Sequence, residues 1–132
     1  MNLPYRPLVL GVSVLAFSAA VLAGGNHFYA PVTDSVVREE CGSCHMAFAP
    51  SMLPASSWKR MMANLGNHFG DDASVDAQTA ARISRYLVAN AADGGGRQYA
   101  GKLLRGVALD NAPLRITELP KWVSEHREVS AR

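Results

Sequence analysis

Both cysteines of the chain and one of its four histidines fall within a single stretch, Cys41-Gly42-Ser43-Cys44-His45. This cluster constrains the fold more than any other feature, because the rest of a short chain must be built around its chemistry. A disulfide between Cys41 and Cys44 would close only a tight loop, so it would constrain little of the unfolded chain. A thioredoxin-like dithiol needs a strand before it and a sheet around it, and no convincing strand precedes Cys41. Zinc asks for four ligands, and a second close pair of ligands is missing from the sequence. The remaining reading of Cys-x-x-Cys-His is covalent attachment of haem c. The thiols of Cys41 and Cys44 add to the haem vinyl groups, and His45 beside them becomes the proximal iron ligand.

The N-terminus places that chemistry in a compartment. In residues 1–23, Arg6 precedes an apolar to weakly polar run from Pro7 to Ala23, and Val21 and Ala23 stand where a signal peptidase needs small residues. This reads as a secretory signal. The run also approaches the roughly 20 residues of a membrane span, so a retained N-terminal anchor is the alternative. In both cases Arg6 stays inside and the chain from Gly24 onward is exported. The expected location is periplasmic, either soluble or tethered to the inner membrane. A length of 132 residues, 48% hydrophobic and 18% charged, fits such a leader followed by one small globular domain. A net charge of +2 argues against a nucleic-acid partner. Acidic residues prevail between Asp34 and Asp93 and basic ones from Arg97 onward, a mild contrast that suits a solvated surface.

The periodicity is helical throughout. Residues 24–33 read as a linker. Asp34 or Ser35 caps a helix through Val36 to Glu39 that runs into the cysteine motif. Residues 49–54 hold two prolines and form a loop. Ser56 or Ser57 is expected to open a second helix carrying Trp58, Met61, Met62 and Leu65, which Gly66 ends. After a loop from Asn67 to Val75, Asp76 caps the best helix of the chain, with Ala80, Ile83 and Leu87 on one face. A glycine run breaks the chain after Asp93. A helix from about Arg97 to Arg105, on Tyr99 and Leu103, and a short one after Pro120 complete an all-α fold.

That order resembles a class I cytochrome c. In that family the loop before the last helix supplies the sixth iron ligand, normally a methionine; here the loop GNHFGDDASV holds no methionine but does hold His68. More narrowly, EECGSCHMAFAPSMLPASSW, NHFGDDASVDAQTAARISRYLVANAAD, LRITELP and EHREV resemble the dihaem cytochrome c family of purple bacteria and their relatives, over roughly Val32 to Val129. The resemblance implies a class I-like haem domain at 34–93 and a C-terminal extension at 94–132. It also implies histidine on both faces of the iron, making His68 the distal ligand. Family members carry a second Cys-x-x-Cys-His beyond the segment like EHREV; this sequence ends at Arg132 without a third cysteine, so one haem c is expected in this chain.

The other donors have blander readings. His126 sits in a charged run, where a surface role is the ordinary expectation, and His27 falls in the linker. Met61 and Met62 are core filler by their spacing. Met46 adjoins His45 and cannot reach across the ring, while Met52 is a weak alternative ligand. Trp58, Phe48, Phe69 and Tyr86 are candidates for the apolar wall of a haem crevice.

A haem closed on both faces transfers single electrons and binds no substrate, so the expected activity is electron transport without catalysis. The resemblance implies a redox partner such as a membrane b-type cytochrome or another small c-type cytochrome. Two other classes stay open: a five-coordinate haem binding a small gas or peroxide, and a haem-bearing docking subunit of a membrane redox complex. The export reading has a direct check. Protease added to intact cells should leave the chain from Gly24 onward untouched and should digest it once the outer envelope is opened; equal resistance in both samples overturns it.

Overall fold

In the computed structural model, which describes residues 29–94 and 100–130, the first helix starts where its capping residue sends it. Asp34 lies in extended backbone, and its Oδ1 accepts from the amides of Val36 at 2.9 Å and Val37 at 3.2 Å. These are among the donors that a helix start leaves unpaired. α1 then runs Ser35–Gly42, so Cys41 lies in its last turn. Asp76 caps α3, Ala77–Ala89, in the same way through the amides of Gln78 and Thr79. Among the described residues there is no β-strand, only an isolated bridge between His68 and Asp71. The fold is all-α, as the periodicity suggests.

The second helix corrects the expectation at both ends. α2 spans Ala55–Met62, opened by Pro54 with no side-chain cap. The Ala55 amide is instead received by Asp93, 38 positions later, at 2.8 Å. Neither serine caps it: the fully buried Ser57 donates to the Pro113 carbonyl at 2.7 Å, and the Ser56 hydroxyl is buried with no hydrogen-bond partner. Nor does Gly66 end it. The helix stops at Met62, and Leu65 belongs to a separate 3-10 turn, Leu65–Asn67.

α3 is the element on which the others rest. Its apolar face, Ile83 and Leu87, is buried in a core with Val37 of α1 and Trp58 of α2, and both earlier helices pack against it. Arg82 on α3 grips Asp34 with two nitrogens at 3.1–3.2 Å, tying the start of α1 to α3. Past the break, α4 (Ala100–Leu103), α5 (Pro120–Glu125) and α6 (Arg127–Ser130) are short. α5 opens on Pro120, in the first turn, where an amide would have no intrahelical partner to lose. Leu103 and Leu119 are fully buried in the same core. Arg60 of α2 also donates to the Ala112 carbonyl at 2.8 Å, so the C-terminal segment is fastened to the helices before it. Residues 1–23, the first half of the linker at 24–33 with His27, and Arg97 and Tyr99 of the expected later helix lie outside the described residues.

The clasp between Asp34 and Arg82 gives the fold a defined response to acid. Desolvation pulls the Asp34 carboxyl upward, but the Val37 amide, the Arg82 guanidinium and the Val36 amide together outweigh it and hold the group below the ordinary 3.8. A carboxyl lowered in this way binds fewer protons folded than unfolded. Its contribution to stability is therefore present above the ordinary value and lost as pH falls through the lowered one. Asparagine keeps the cap and removes the charge. Asp34→Asn should lower the melting temperature at neutral pH and shrink its fall on acidification; thermal melts that overlay those of the parent across the acid range would refute this.

Candidate functional site

The chain stays helical one residue beyond α1. Ser43 keeps right-handed backbone angles and its hydroxyl donates to the Glu40 carbonyl at 2.8 Å. Cys41 is half-buried against the core, Cys44 is exposed, and the two are not joined to each other. A redox dithiol works through a lowered thiol pKa. Here burial, and then the neighbouring charge of Glu40, push the Cys41 thiol up. The next residue, His45, stands exposed with its Nδ1 2.8 Å from the Met46 carbonyl. A carbonyl only accepts, so Nδ1 carries the proton and the Nε2 lone pair is left for a metal.

His68 arrives from the loop between α2 and α3. The amides and carbonyls of His68 and Asp71 pair reciprocally, at 2.7 and 3.2 Å, around a two-residue turn. Both turn residues have positive φ, Phe69 at 56° and Gly70 at 112°, the arrangement that a tight primed turn requires. Glycine adopts it freely; phenylalanine does not. Gly70 is thus needed for the turn itself. The amide of Ala73 donates to the Leu65 carbonyl at 2.9 Å, closing the base of the loop.

The loop brings the rings of the two histidines close together. Their ring centres are 6.1 Å apart and their planes lie 20° from parallel. Two imidazoles on opposite sides of one metal, each with a bond of about 2 Å, put their centres about 6 Å apart. The separation of the pair therefore matches one haem iron between two imidazoles, beside the two cysteines that would hold the macrocycle. Phe48 lies 5.4 Å from the His45 ring and Phe69 meets His68 edge-on at 4.9 Å. With Met46, both phenylalanines are exposed, and they offer apolar surface suited to a flat apolar ring. Among the described residues no group of three or more His, Cys, Asp or Glu side chains could hold a bare metal ion.

The remaining candidates are occupied elsewhere. Trp58 is in the core and donates to the Pro50 carbonyl at 2.7 Å. The hydroxyl of Tyr86 binds Thr33. Of the four proposed wall residues, only Phe48 and Phe69 touch the histidines. Met61 and Met62 pack as half-buried filler on the core, and Met52 lies in the 3-10 turn Pro50–Met52. His126 is more enclosed than its charged neighbours imply. It is half-buried, stacked on Trp122 with ring centres 4.0 Å apart, its Nδ1 at 2.9 Å from the Trp122 carbonyl. Sequence reasoning missed Arg115, whose guanidinium lies 4.2 Å over the Phe69 ring. No local pattern could have paired residues so far apart, although LRITELP and NHFGDD contain them.

The profile of the family described as dihaem cytochrome c matches residues 37–132. Among solved structures, the chain is similar to a diheme cytochrome c from Rhodobacter sphaeroides, with 49% identity, a TM-score of 0.68, and coverage of 74% of this chain and 76% of that one. DHC purified from Rhodobacter sphaeroides is 44% identical, with a TM-score of 0.60 and 75% of each chain covered. A diheme cytochrome type c from Shewanella baltica OS155 is 40% identical, with a TM-score of 0.55, covering 72% of this chain and 62% of that one. A search of curated proteins finds no match.

Proposed function

The chain belongs to the dihaem cytochrome c family, whose members are c-type electron carriers, and from that premise we propose a bis-histidine cytochrome of the periplasm. In this reading Cys41 and Cys44 would hold one haem c by thioether bonds, and His45 and His68 would be its iron ligands. The observation that carries it is the 6.1 Å separation of two nearly parallel imidazoles next to the Cys-x-x-Cys pair. Haem iron supplies a one-electron couple between the ferric and ferrous states.

The residues of the chain do the rest. The Met46 carbonyl fixes the tautomer of His45 and makes its Nε2 a better donor. The tight turn at Phe69 and Gly70 presents His68. With both imidazoles as ligands, no small molecule would reach the iron without displacing one, so the site would carry electrons rather than catalyse. Imidazole favours the ferric state more than a methionine thioether does, and the reduction potential is accordingly low for a c-type cytochrome. The Cys-x-x-Cys-His motif accounts for one haem in this sequence. The leader at residues 1–23 supports export, and among the described residues no helix is long and apolar enough to cross a membrane. Partners of matching chemistry are a membrane b-type cytochrome or a second small c-type cytochrome.

Two variants test the assignment. Changing Cys41 and Cys44 together to alanine should abolish haem staining of the denatured protein; covalent haem that survives both changes refutes the attachment. His68→Ala should convert a low-spin ferric spectrum to a high-spin one and let carbon monoxide bind rapidly on reduction. Should that variant remain low-spin while His126→Ala becomes high-spin, the distal ligand is His126.

A further inference from the structure

The geometry points to Arg115 as a positioning residue for the distal histidine: its guanidinium clamps Phe69 in a left-handed backbone, and the Phe69 ring holds the plane of His68. The inference rests on the reading that His68 ligates the iron, and it adds a control that the C-terminal segment exerts over that bond.

The groups stand in series. Arg115 lies 4.2 Å over the Phe69 ring centre, Phe69 meets His68 edge-on at 4.9 Å and 66°, and His68 faces His45 at 6.1 Å. Each contact has a favourable sense, a cation on the negative face of a ring and then an aromatic edge against its neighbour. The middle member needs support. A bulky side chain at φ 56° occupies backbone space that L-residues disfavour, and such a conformation persists only where surrounding contacts over-determine it. Phe69 is 44% exposed, so burial supplies little of that support and the guanidinium on its face supplies what burial does not.

Arg115 can act as a clamp because its backbone leads into the buried core. Its Nε lies 3.7 Å from Glu118 in the following turn, and that turn, Ile116–Glu118, leads into the fully buried Leu119. The strained turn is thus braced against the part of the chain that carries α5. Loosening the brace lets Phe69 leave its left-handed backbone, and His68 is the adjacent residue. The expected consequence is a more labile iron–histidine bond rather than an unfolded domain.

The test uses the haem-loaded protein. In a six-coordinate haem, carbon monoxide binds the reduced iron only after the distal ligand leaves, so the binding rate at saturating gas reads the loss of His68. Arg115→Ala should raise that rate by about three- to fivefold, the weight of one exposed cation–π contact, and Phe69→Leu, which also removes the aromatic edge contact, by at least as much. Combining them should add nothing further, because both act through one chain of contacts. Arg115→Lys should restore most of the parental rate, since an ammonium also binds the ring face. Low-temperature spectra of the ferric protein, which read the angle between the two imidazole planes, should shift in the alanine variant and return in the lysine variant. His68→Ala separates the failures. If it opens the site while Arg115→Ala stays within about a factor of two of the parent, the clamp alone is refuted. If His68→Ala leaves the haem six-coordinate, the distal assignment falls and the clamp falls with it. Fully additive effects of the two single changes also overturn the inference.

Discussion

Two imidazole rings held 6.1 Å apart and nearly parallel are the constraint around which the rest of this small protein is arranged. Metal–ligand geometry tolerates deviations of only about half an ångström, yet the two rings come from separate segments of the chain. His45 hangs from the end of α1 and His68 from the loop that leads into α3. The spacing between them is therefore a property of how α1 sits on α3. Val37 packs with Ile83 and Leu87 in one core, and the bidentate grip of Arg82 on Asp34 prevents α1 from sliding along its neighbour. The same aspartate that starts α1 thus also sets where the helix is held, and so where its far end delivers the cysteines and His45.

Beyond the two histidines, the site is shaped by residues that fix orientation. The Met46 carbonyl decides the tautomer of His45 by geometry alone. On the other side the backbone does the equivalent work: reciprocal bonds between His68 and Asp71 close a turn so tight that one of its central positions must be glycine and the other must tolerate strain. Backbone strain of this kind clusters at functional sites because the surroundings are selected to hold a geometry that the local chain would abandon. The exposed phenylalanines on each histidine follow the same logic. In a core they would stabilise the fold; beside His45 and His68 they provide a surface for an apolar ring.

Parts of this were legible residue by residue. The caps at Asp34 and Asp76 were readable because capping is a bond between positions two and three apart, and the apolar face of α3 was readable because helical period is local. The start of α2 was not. Ser56 and Ser57 have the chemistry of a cap, but the Ala55 amide is met by Asp93 and the Ser57 hydroxyl is drawn to Pro113, both from distant segments. Leu65 and Gly66 misled for a related reason. Their pattern continues a helix, while the loop carrying His68 needs the chain to turn at Met62 and reach back, with Ala73 bonded to Leu65.

The sequence by itself determined the chemistry available: two thiols and an imidazole at a spacing that one haem can use, a second histidine in the loop before α3, and helix starts at two aspartates. These are legible because covalent attachment and capping act between neighbours along the chain. Only the tertiary structure decided which histidine faces His45, which aromatics stand beside the pair and which are spent in the core, and that Arg115 leans on Phe69 from the far end of the chain. Those choices depend on the packing of α1 and α2 on α3 and on the burial of Leu103 and Leu119 against them. Such contacts join positions whose separation along the chain carries no periodic signal, and they exist only once the apolar faces have found one another.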